Sequence, residues 1–417
     1  MRIGTFAKKN QLTVDTIRYY MDLGLLVPVK KNAYYDFDDT CQKDLSHVIR
    51  LKRMGFKLKD IGRILVMMRI GSASPKSETE YILKQFENRI RDIDVEEESL
   101  RKMKQSIIQE MENLRNFKLD SNALIGVRLE HISLFHCNYC EGSFNLEDAI
   151  VKQGKILDGS LVCVCGARLI IENGMIIGKH NFGKRYFNVS KDLTNVYEDY
   201  VNIADPAFLN QLYSGMNWIK RQVCSKQESP LIILEFGVGS GFFLKYFMKH
   251  LKETDIYIAI DHDKKRLELL KDMLVANNMD KQILLICSDF LELPLKSNVA
   301  KVVVDFYGSM SYALENEKPL VTSIEKWLSI KGEYFGCFVI YESLYDEVKN
   351  LIRCRSVFSA EGILSLLRET QMSLIEDVLG DVIKSSNDYK KFHQTGKNMR
   401  NYIIHCKMNK TKEEPLS

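Results

Sequence analysis

The chain has 417 residues, with 59 Lys and Arg against 55 Asp and Glu and a formal net charge of +4. At roughly 100 to 200 residues per domain, that length allows two to four domains, each able to bury a core. A hydrophobic fraction of 45% and a charged fraction of 27% exclude wholesale disorder and an integral membrane protein.

No apolar run reaches the roughly 18 residues of a spanning helix, and "MRIGTFAKKNQL" has no apolar signal core. A cytoplasmic protein is therefore expected. Its ten cysteines are too few and too scattered for a secreted disulfide scaffold. Charge is unevenly spread: residues 1–70 hold fourteen Lys and Arg, seven Asp and no Glu, which is 14 − 7 = +7. That end of the chain is the one suited to a polyanion.

Residues 1–75 open with Ile3, Phe6 and Ala7 at helical spacing, a break at Gln11 and Leu12, and Thr13 as N-cap of a second helix from Val14 to Met21. Gly24 then suits a helix C-terminus. Two short helices about a turn predict a helix-turn-helix whose second member, bearing Thr16, Arg18, Tyr19 and Tyr20, enters the major groove. "VPVKKNAYYDFDD" reads as a hairpin wing, with Lys30, Lys31 and Tyr34 placed toward phosphates. "CQKDLSHVIRLKRMGFKLKDIGRILVMM" predicts two further helices interrupted at Gly55. A basic helical domain binding something other than DNA is the competing reading.

These residues resemble the MerR family of bacterial transcription regulators. The likeness rests on "IRYYMDLGLLVP", "YYDFDD" and "LKRMGFKLKDI" and is collinear over about seventy residues. Tyr35 stands where the family often has a wing Arg. The resemblance implies double-stranded promoter DNA as a partner, nucleoid association, and a dimer that twists the promoter so that RNA polymerase can use an overlong spacing.

From residue 76 to 117, Phe86, Ile90, Ile93, Glu97, Leu100, Lys104, Ile107, Met111 and Leu114 alternate steps of four and three, the signature of a coiled-coil seam. Glu97 and Lys104 can pair across an antiparallel dimer and fix its register. The MerR resemblance implies a homodimer here; a long helix packed within its own chain is the alternative.

Residues 118–180 contain "HCNYC" and, after 22 residues, "CVCG". Cys137, Cys140, Cys163 and Cys165 form two close pairs suited to tetrahedral zinc, with no position left open for chemistry. The rivals are a redox switch and thiols that bind nothing. "GSLVCVCGARLIIENGMIIG", with its Asn173-Gly174 turn, resembles zinc ribbons that precede methyltransferases. Residues 181–229 read as a helical lead-in or lid.

Residues 230–410 alternate strands and helices, which predicts a parallel sheet wrapped by helices. "LEFGVGSG" follows a strand and opens a helix, so its glycines let backbone approach a ligand at a helix N-terminus. Asp261, twenty residues past Gly241, ends the next strand where a carboxylate can accept ribose hydroxyls. The Glu-x-Gly-x-Gly-x-Gly spacing departs from the dinucleotide fingerprint and resembles the first motif of class I S-adenosylmethionine-dependent methyltransferases. That resemblance assigns Glu235, Gly237, Gly239 and Gly241 to the motif's cofactor site, Asp261 to the ribose, and Ser288, Asp289 and Phe290 to the adenine. NAD binding or an empty relic are the rivals.

Catalytic candidates lie in "DFYGSMSY": Asp305 and Tyr307 first, then Ser309 and Tyr312. These tyrosines serve equally as packing beneath the cofactor. The expected fold is multidomain: an all-α winged helix-turn-helix with a long coiled-coil helix, a small β zinc ribbon and an α/β Rossmann-like methyltransferase domain. The expected function is a MerR-like regulator whose S-adenosylmethionine-binding part is a sensor or an enzyme, taking a small-molecule effector or methyl acceptor. The alternative is an active methyltransferase of a small molecule or RNA that controls its own expression.

Overall fold

The computed structural model describes residues 1–31, 34–71, 74–115, 123–179, 201–202, 204–226, 230–279, 281–350, 352–384 and 396–409. It divides into two compact units, Met1–Lys118 and Leu119–Ser417.

In the first unit, α1 (Ile3–Lys9) and α2 (Val14–Asp22) flank the expected turn. Thr13 caps α2 by accepting from the Thr16 N–H at 3.1 Å, and Gly24 takes φ +69° just past its end. The wing is a two-stranded antiparallel hairpin, β1 (Val29–Lys31) and β2 (Tyr34–Asp36). Helices α3 (Asp39–Arg53) and α4 (Leu58–Ile70) follow, separated at Gly55 with φ +80°. Phe6, Ile17, Leu25, Phe37, Leu45, Ile61 and Leu65 make one core, in which Phe6 stacks on Phe37 at 4.6 Å.

Arg69 locks this head. Its guanidinium donates to the buried Asp44 at Oδ2 (2.8 and 3.1 Å) and to the Gly24 and Leu25 carbonyls (2.9 and 2.6 Å). One side chain thereby joins α3, α4 and the segment leaving α2. Beyond it, α5 (Pro75–Arg115) is a single 41-residue helix with no buried residue. Phe86 reaches the core and packs on Phe56 at 5.1 Å. The seam positions Ile90, Leu100, Ile107 and Leu114 are exposed.

The second unit is built on a twelve-stranded sheet. Its central strands β8 (Ile232–Phe236), β9 (Ile256–Asp261), β10 (Gln282–Cys287), β11 (Ala300–Phe306) and β12 (Leu328–Leu344) are parallel, in the order β10-β9-β8-β11-β12. The antiparallel strands β13 (Met372–Leu379) and β14 (Gly396–Met408) complete one edge. Side chains alternate between two cores: Leu234, Phe236, Ile258 and Ile260 join one, and Ile233, Tyr257 and Ala259 the other. Helices α6 (Pro206–Cys224), α7 (Phe242–Phe247) and α8 (Lys264–Ala276) cover the second face. Helices α9 (Gly308–Glu315) and α10 (Ala360–Arg368) contribute to the first. Residues Leu320–Lys326, between β11 and β12, form a 3₁₀ helix.

The ribbon is not a separate bead. Strands β3 (Val127–Arg128), β4 (Phe144–Lys152), β5 (Lys155–Cys163), β6 (Arg168–Glu172) and β7 (Met175–Ile177) extend the same sheet, because β7 pairs in parallel with β10. Val127, Ile156, Leu161 and Ile171 enter the first core. The β6–β7 turn is Asn173-Gly174 with φ +50° and +74°, a two-residue hairpin that needs positive φ at both positions. Of the expected lead-in, α6 is described and residues 180–200 lie outside the described residues. Among the described residues no helix is long and apolar enough to cross a membrane.

Replacing Arg69 by Ala leaves the largely buried Asp44 without its cation and frees two carbonyls. The head is expected to lose about 2 kcal/mol. Arg69→Lys does not restore it, since one ammonium cannot span all three acceptors. Urea unfolding followed on the full chain checks both.

Candidate functional site

Strand order reverses between β8 and β11, and register aligns Phe236 with Ile260 and with Asp305 and Asp261 with Cys287. The loops after these four strands therefore meet at one edge, where open α/β sheets bind ligands. In the first loop Gly237, Gly239 and Gly241 all have positive φ (+67°, +53° and +79°). A Cβ on Gly237 would stand 2.6 Å from the Gly308 Cα, and one on Gly241 would strike Leu270. A Cβ on Gly239 meets nothing closer than 3.8 Å, so its backbone faces open space. Two of the glycines admit close packing and the middle one presents the turn to a ligand, the arrangement a bound cofactor needs.

Asp261 holds that turn. Its Oδ2 accepts from the Gly239 N–H at 2.8 Å and its Oδ1 from the Asp263 N–H at 2.9 Å. The side chain is otherwise buried, with His262 Nδ1 3.5 Å from its Oδ1. Glu235, the acid of the motif, is buried and accepts from the Tyr257 hydroxyl at 2.6 Å. Burial pushes its carboxyl up to about 8, with the neighbouring Asp261 and Asp305 adding to the rise. Glu235 is thus held neutral at the foot of the loop rather than offered as a charge.

Ser288 is fully buried and donates to the Lys179 carbonyl at 3.1 Å; the Asp289 N–H donates to the same oxygen at 2.7 Å. Phe290 packs edge-on to Phe236 at 5.8 Å and against Tyr312 at 5.5 Å. His262 sits 6.0 Å from Phe290 at the rim.

The catalytic candidates separate. Asp305 is completely buried, accepting from the Ser309 N–H at 2.8 Å and the Tyr334 hydroxyl at 3.0 Å, and burial raises its pKa. Ser309 is buried with it, and Tyr312 supports Phe290. Tyr307 is half-buried in a left-handed conformation, φ +67°, at the start of α9. Its hydroxyl donates to Asn401 Oδ1 at 3.1 Å on β14, and its ring lies 6.4 Å from Phe208. A non-glycine residue held there stores strain of the kind found at functional sites.

Sequence reasoning did not single out Tyr257, Gly308 or Asn401. Gly308 had a readable signal, a glycine directly after a strand and opening a helix. Asn401 lies inside β14, a strand that also carries Asn398, Arg400 and His405, with nothing local to mark it.

Cys137, Cys140, Cys163 and Cys165 converge, with their four Sγ atoms within 4.8 Å of one another. Cys137 and Cys163 are buried, while Cys140 and Cys165 are exposed. Four thiols in that space fit a tetrahedral thiophilic ion.

On the head, Arg18 and Tyr19 are exposed on α2 and Thr16 is half-exposed, its hydroxyl 2.8 Å from that of Thr13. Tyr20 points the other way, buried in the core. It shares a face with Ile17, three residues back, so it supports the helix instead of reading DNA. In the wing Lys30 and Tyr34 are exposed, and the Arg2 guanidinium lies 5.3 Å from the Tyr34 ring. Lys31 is exposed and also bound to Asp36 at 2.5 Å. That hydrogen bond, with the Met1 ammonium, lowers Asp36 to about 2.

Comparison with known proteins divides the chain in the same sense. Residues 1–67 match the MerR HTH family regulatory proteins, and residues 233–332 match a methyltransferase domain family. An uncharacterized HTH-type transcriptional regulator of Pseudomonas aeruginosa is 35% identical over 69 residues, which is 16% of this chain and 52% of that protein. The chain thus spans about half the length of this curated relative. Similar solved structures include a SAM-dependent methyltransferase from Aquifex aeolicus (14% identity, TM-score 0.36, 51% of this chain and 97% of that one). Another is the geranyl diphosphate C-methyltransferase from Streptomyces coelicolor A3(2) (10% identity, TM-score 0.38, 56% and 89%).

Glu235 gives this unit a pH signature. The folded state holds its proton up to about 8, whereas an unfolded glutamate loses it at 4.5. The stabilisation is fully present below 4.5 and is lost as pH rises through about 8. Glu235→Gln keeps an acceptor for Tyr257 and removes the titration. Between pH 5 and 8.5 the wild-type thermal midpoint is expected to drop several degrees more than the variant's; parallel profiles by differential scanning calorimetry would contradict the assignment.

Proposed function

We propose that this chain, a MerR-type helix-turn-helix head joined to a methyltransferase domain, is a transcription regulator whose second unit binds S-adenosylmethionine. The observation that carries the proposal is the glycine turn at 237–241, pinned by Asp261 and open at Gly239, in a chain whose head is strongly basic. Gly237, Gly239, Gly241 and Asp261 would hold the methionine and ribose parts, and the loop at Ser288, Asp289 and Phe290 the adenine. When bound, the cofactor supplies a sulfonium methyl group. Arg18, Tyr19 and Thr16 would meet base edges and phosphates of duplex promoter DNA, with Lys30, Lys31 and Tyr34 on the flanking backbone.

Homodimerisation through α5 is supported by the exposed Ile90, Leu100, Ile107 and Leu114, which a second copy would cover. A small-molecule ligand changes how such a dimer sits on DNA, and what RNA polymerase makes of the promoter, only by binding one dimer arrangement better than another. A cytoplasmic, nucleoid-associated location follows from that role.

A second reading, a working methyltransferase for a small molecule or RNA, is favoured by Tyr307. It is strained at the strand ends, and its hydroxyl is oriented by Asn401. In either reading Asp305 is a positioning residue, since both its oxygens hold the base of α9 and Tyr334.

The regulator reading is tested with the full chain and a duplex from upstream of its own gene. S-adenosylmethionine is expected to shift DNA affinity or in vitro transcription about tenfold. Cofactor binding without any change in either measurement overturns it. Turnover in a radiolabelled methyl-transfer screen selects the enzyme.

The four thiols are proposed to hold one structural zinc per chain. Elemental analysis of wild type and Cys163→Ser checks this: the wild type should carry zinc and the variant should lose it. Metal-free wild type purified under reducing conditions would favour the redox-switch alternative.

A further inference from the structure

The four-thiol site and the adenine loop are linked by a continuous set of hydrogen bonds. Residues 134–138 run antiparallel to 292–296, the stretch that follows the adenine loop. Phe135 bridges Leu295, the His136 N–H donates to the Pro294 carbonyl at 3.2 Å, and the Lys296 N–H donates to the Leu134 carbonyl at 3.0 Å. Inside the Cys137-x-x-Cys140 knuckle, Asn138 Nδ2 donates to the Glu292 carbonyl at 2.9 Å. The next residue, Tyr139, lies beneath the Lys179 ammonium at 5.1 Å, and Lys179 pairs with Glu292 at 3.3 Å.

The exit of the ribbon closes the circuit. The Gly178 N–H donates to the Cys287 carbonyl at 2.8 Å, and the Lys179 carbonyl receives both the Asp289 N–H and the Ser288 hydroxyl. A Cβ on Gly178 would stand 2.6 Å from Ser288 Oγ, so the two backbones touch where the adenine loop begins.

Resting on the cofactor reading above, we propose that the zinc knuckle is the anchor of the adenine wall, so that metal occupancy sets the affinity and base selectivity of the nucleoside site. Asn138 is then a positioning residue: it acts through Glu292 and touches no ligand. The physical argument is one of order. The loop from Ser288 to Glu292 takes three of its fixed contacts from ribbon atoms, namely the Lys179 carbonyl twice and Asn138 once. Four thiolates gathered on one ion immobilise the knuckle that supplies Asn138. Without the ion, the knuckle's freedom passes to the loop, and nucleoside binding must then order it at a cost. The linkage is reciprocal, so nucleoside binding should also tighten metal binding by the same factor.

The test uses the full chain and calorimetric titration with S-adenosylhomocysteine and with its hypoxanthine counterpart, S-inosylhomocysteine. Chelator-stripped protein, with its secondary structure verified by circular dichroism, is expected to bind S-adenosylhomocysteine about tenfold more weakly. It should also lose much of the preference for adenine over hypoxanthine. Asn138→Ala and Gly178→Ala, with zinc retained, should show the same loss of preference, which a merely destabilised fold would not produce. In the reverse direction, saturating S-adenosylhomocysteine should raise, by the same factor, the concentration of a competing chelator that removes half of the zinc at equilibrium. A wild type that binds the nucleoside, with unchanged affinity and base preference in the stripped protein and both variants, overturns the proposal alone. A wild type that binds neither nucleoside overturns the cofactor reading and the proposal together.

Discussion

Asp261 is the residue on which the carboxyl edge of the sheet depends. The three glycines of the turn bring no side chains of their own, and all occupy a conformation that costs backbone entropy to fix. Val238 anchors the turn in the second core and donates its N–H to the Ile260 carbonyl, and a buried carboxylate on the neighbouring strand completes the hold, accepting from Gly239 on one oxygen and from Asp263 on the other. A charge-assisted bond of this kind is shorter and stronger than a neutral one. One group thus shapes the loop.

That arrangement places three acids, Glu235, Asp261 and Asp305, at the ends of adjacent strands in surroundings largely stripped of water. Three buried negative charges would be prohibitive. Each acid has a different solution. Asp261 is compensated by backbone N–H groups; Asp305 is fed by Tyr334 and by the first turn of α9; Glu235 keeps its proton. Gly308 is part of the same economy of space. Its missing side chain lets the loop after β11 lie against Gly237, which is why two glycines far apart in sequence are needed at one contact.

Much of this was legible in the sequence. The helix-turn-helix, the wing, the long helix and the alternation of strands and helices follow from caps, turn residues and apolar period, which act locally. Cys137 and Cys163 were placed together by ligand chemistry alone. The sequence left hidden what depends on distant partners. Nothing local tells that Met175–Ile177 will pair with Ile286 and Cys287 rather than close a free-standing ribbon. Asp305 reads as a catalytic acid because its position in "DFYG" is right. Its burial against Tyr334, nearly thirty residues away, can only be seen in three dimensions.

The fusion of ribbon and sheet bears on how a regulator of this kind can work. In a string of independent domains, a metal site would stabilise only itself. Here the ribbon is hydrogen-bonded to the loop at 288–292 and shares the first hydrophobic core through Ile156, Leu161 and Ile171. The four-thiol knuckle and that loop therefore belong to one packed unit. The head stands apart in this respect: its core is complete without the second unit, and its long helix carries exposed apolar residues that its own chain does not cover.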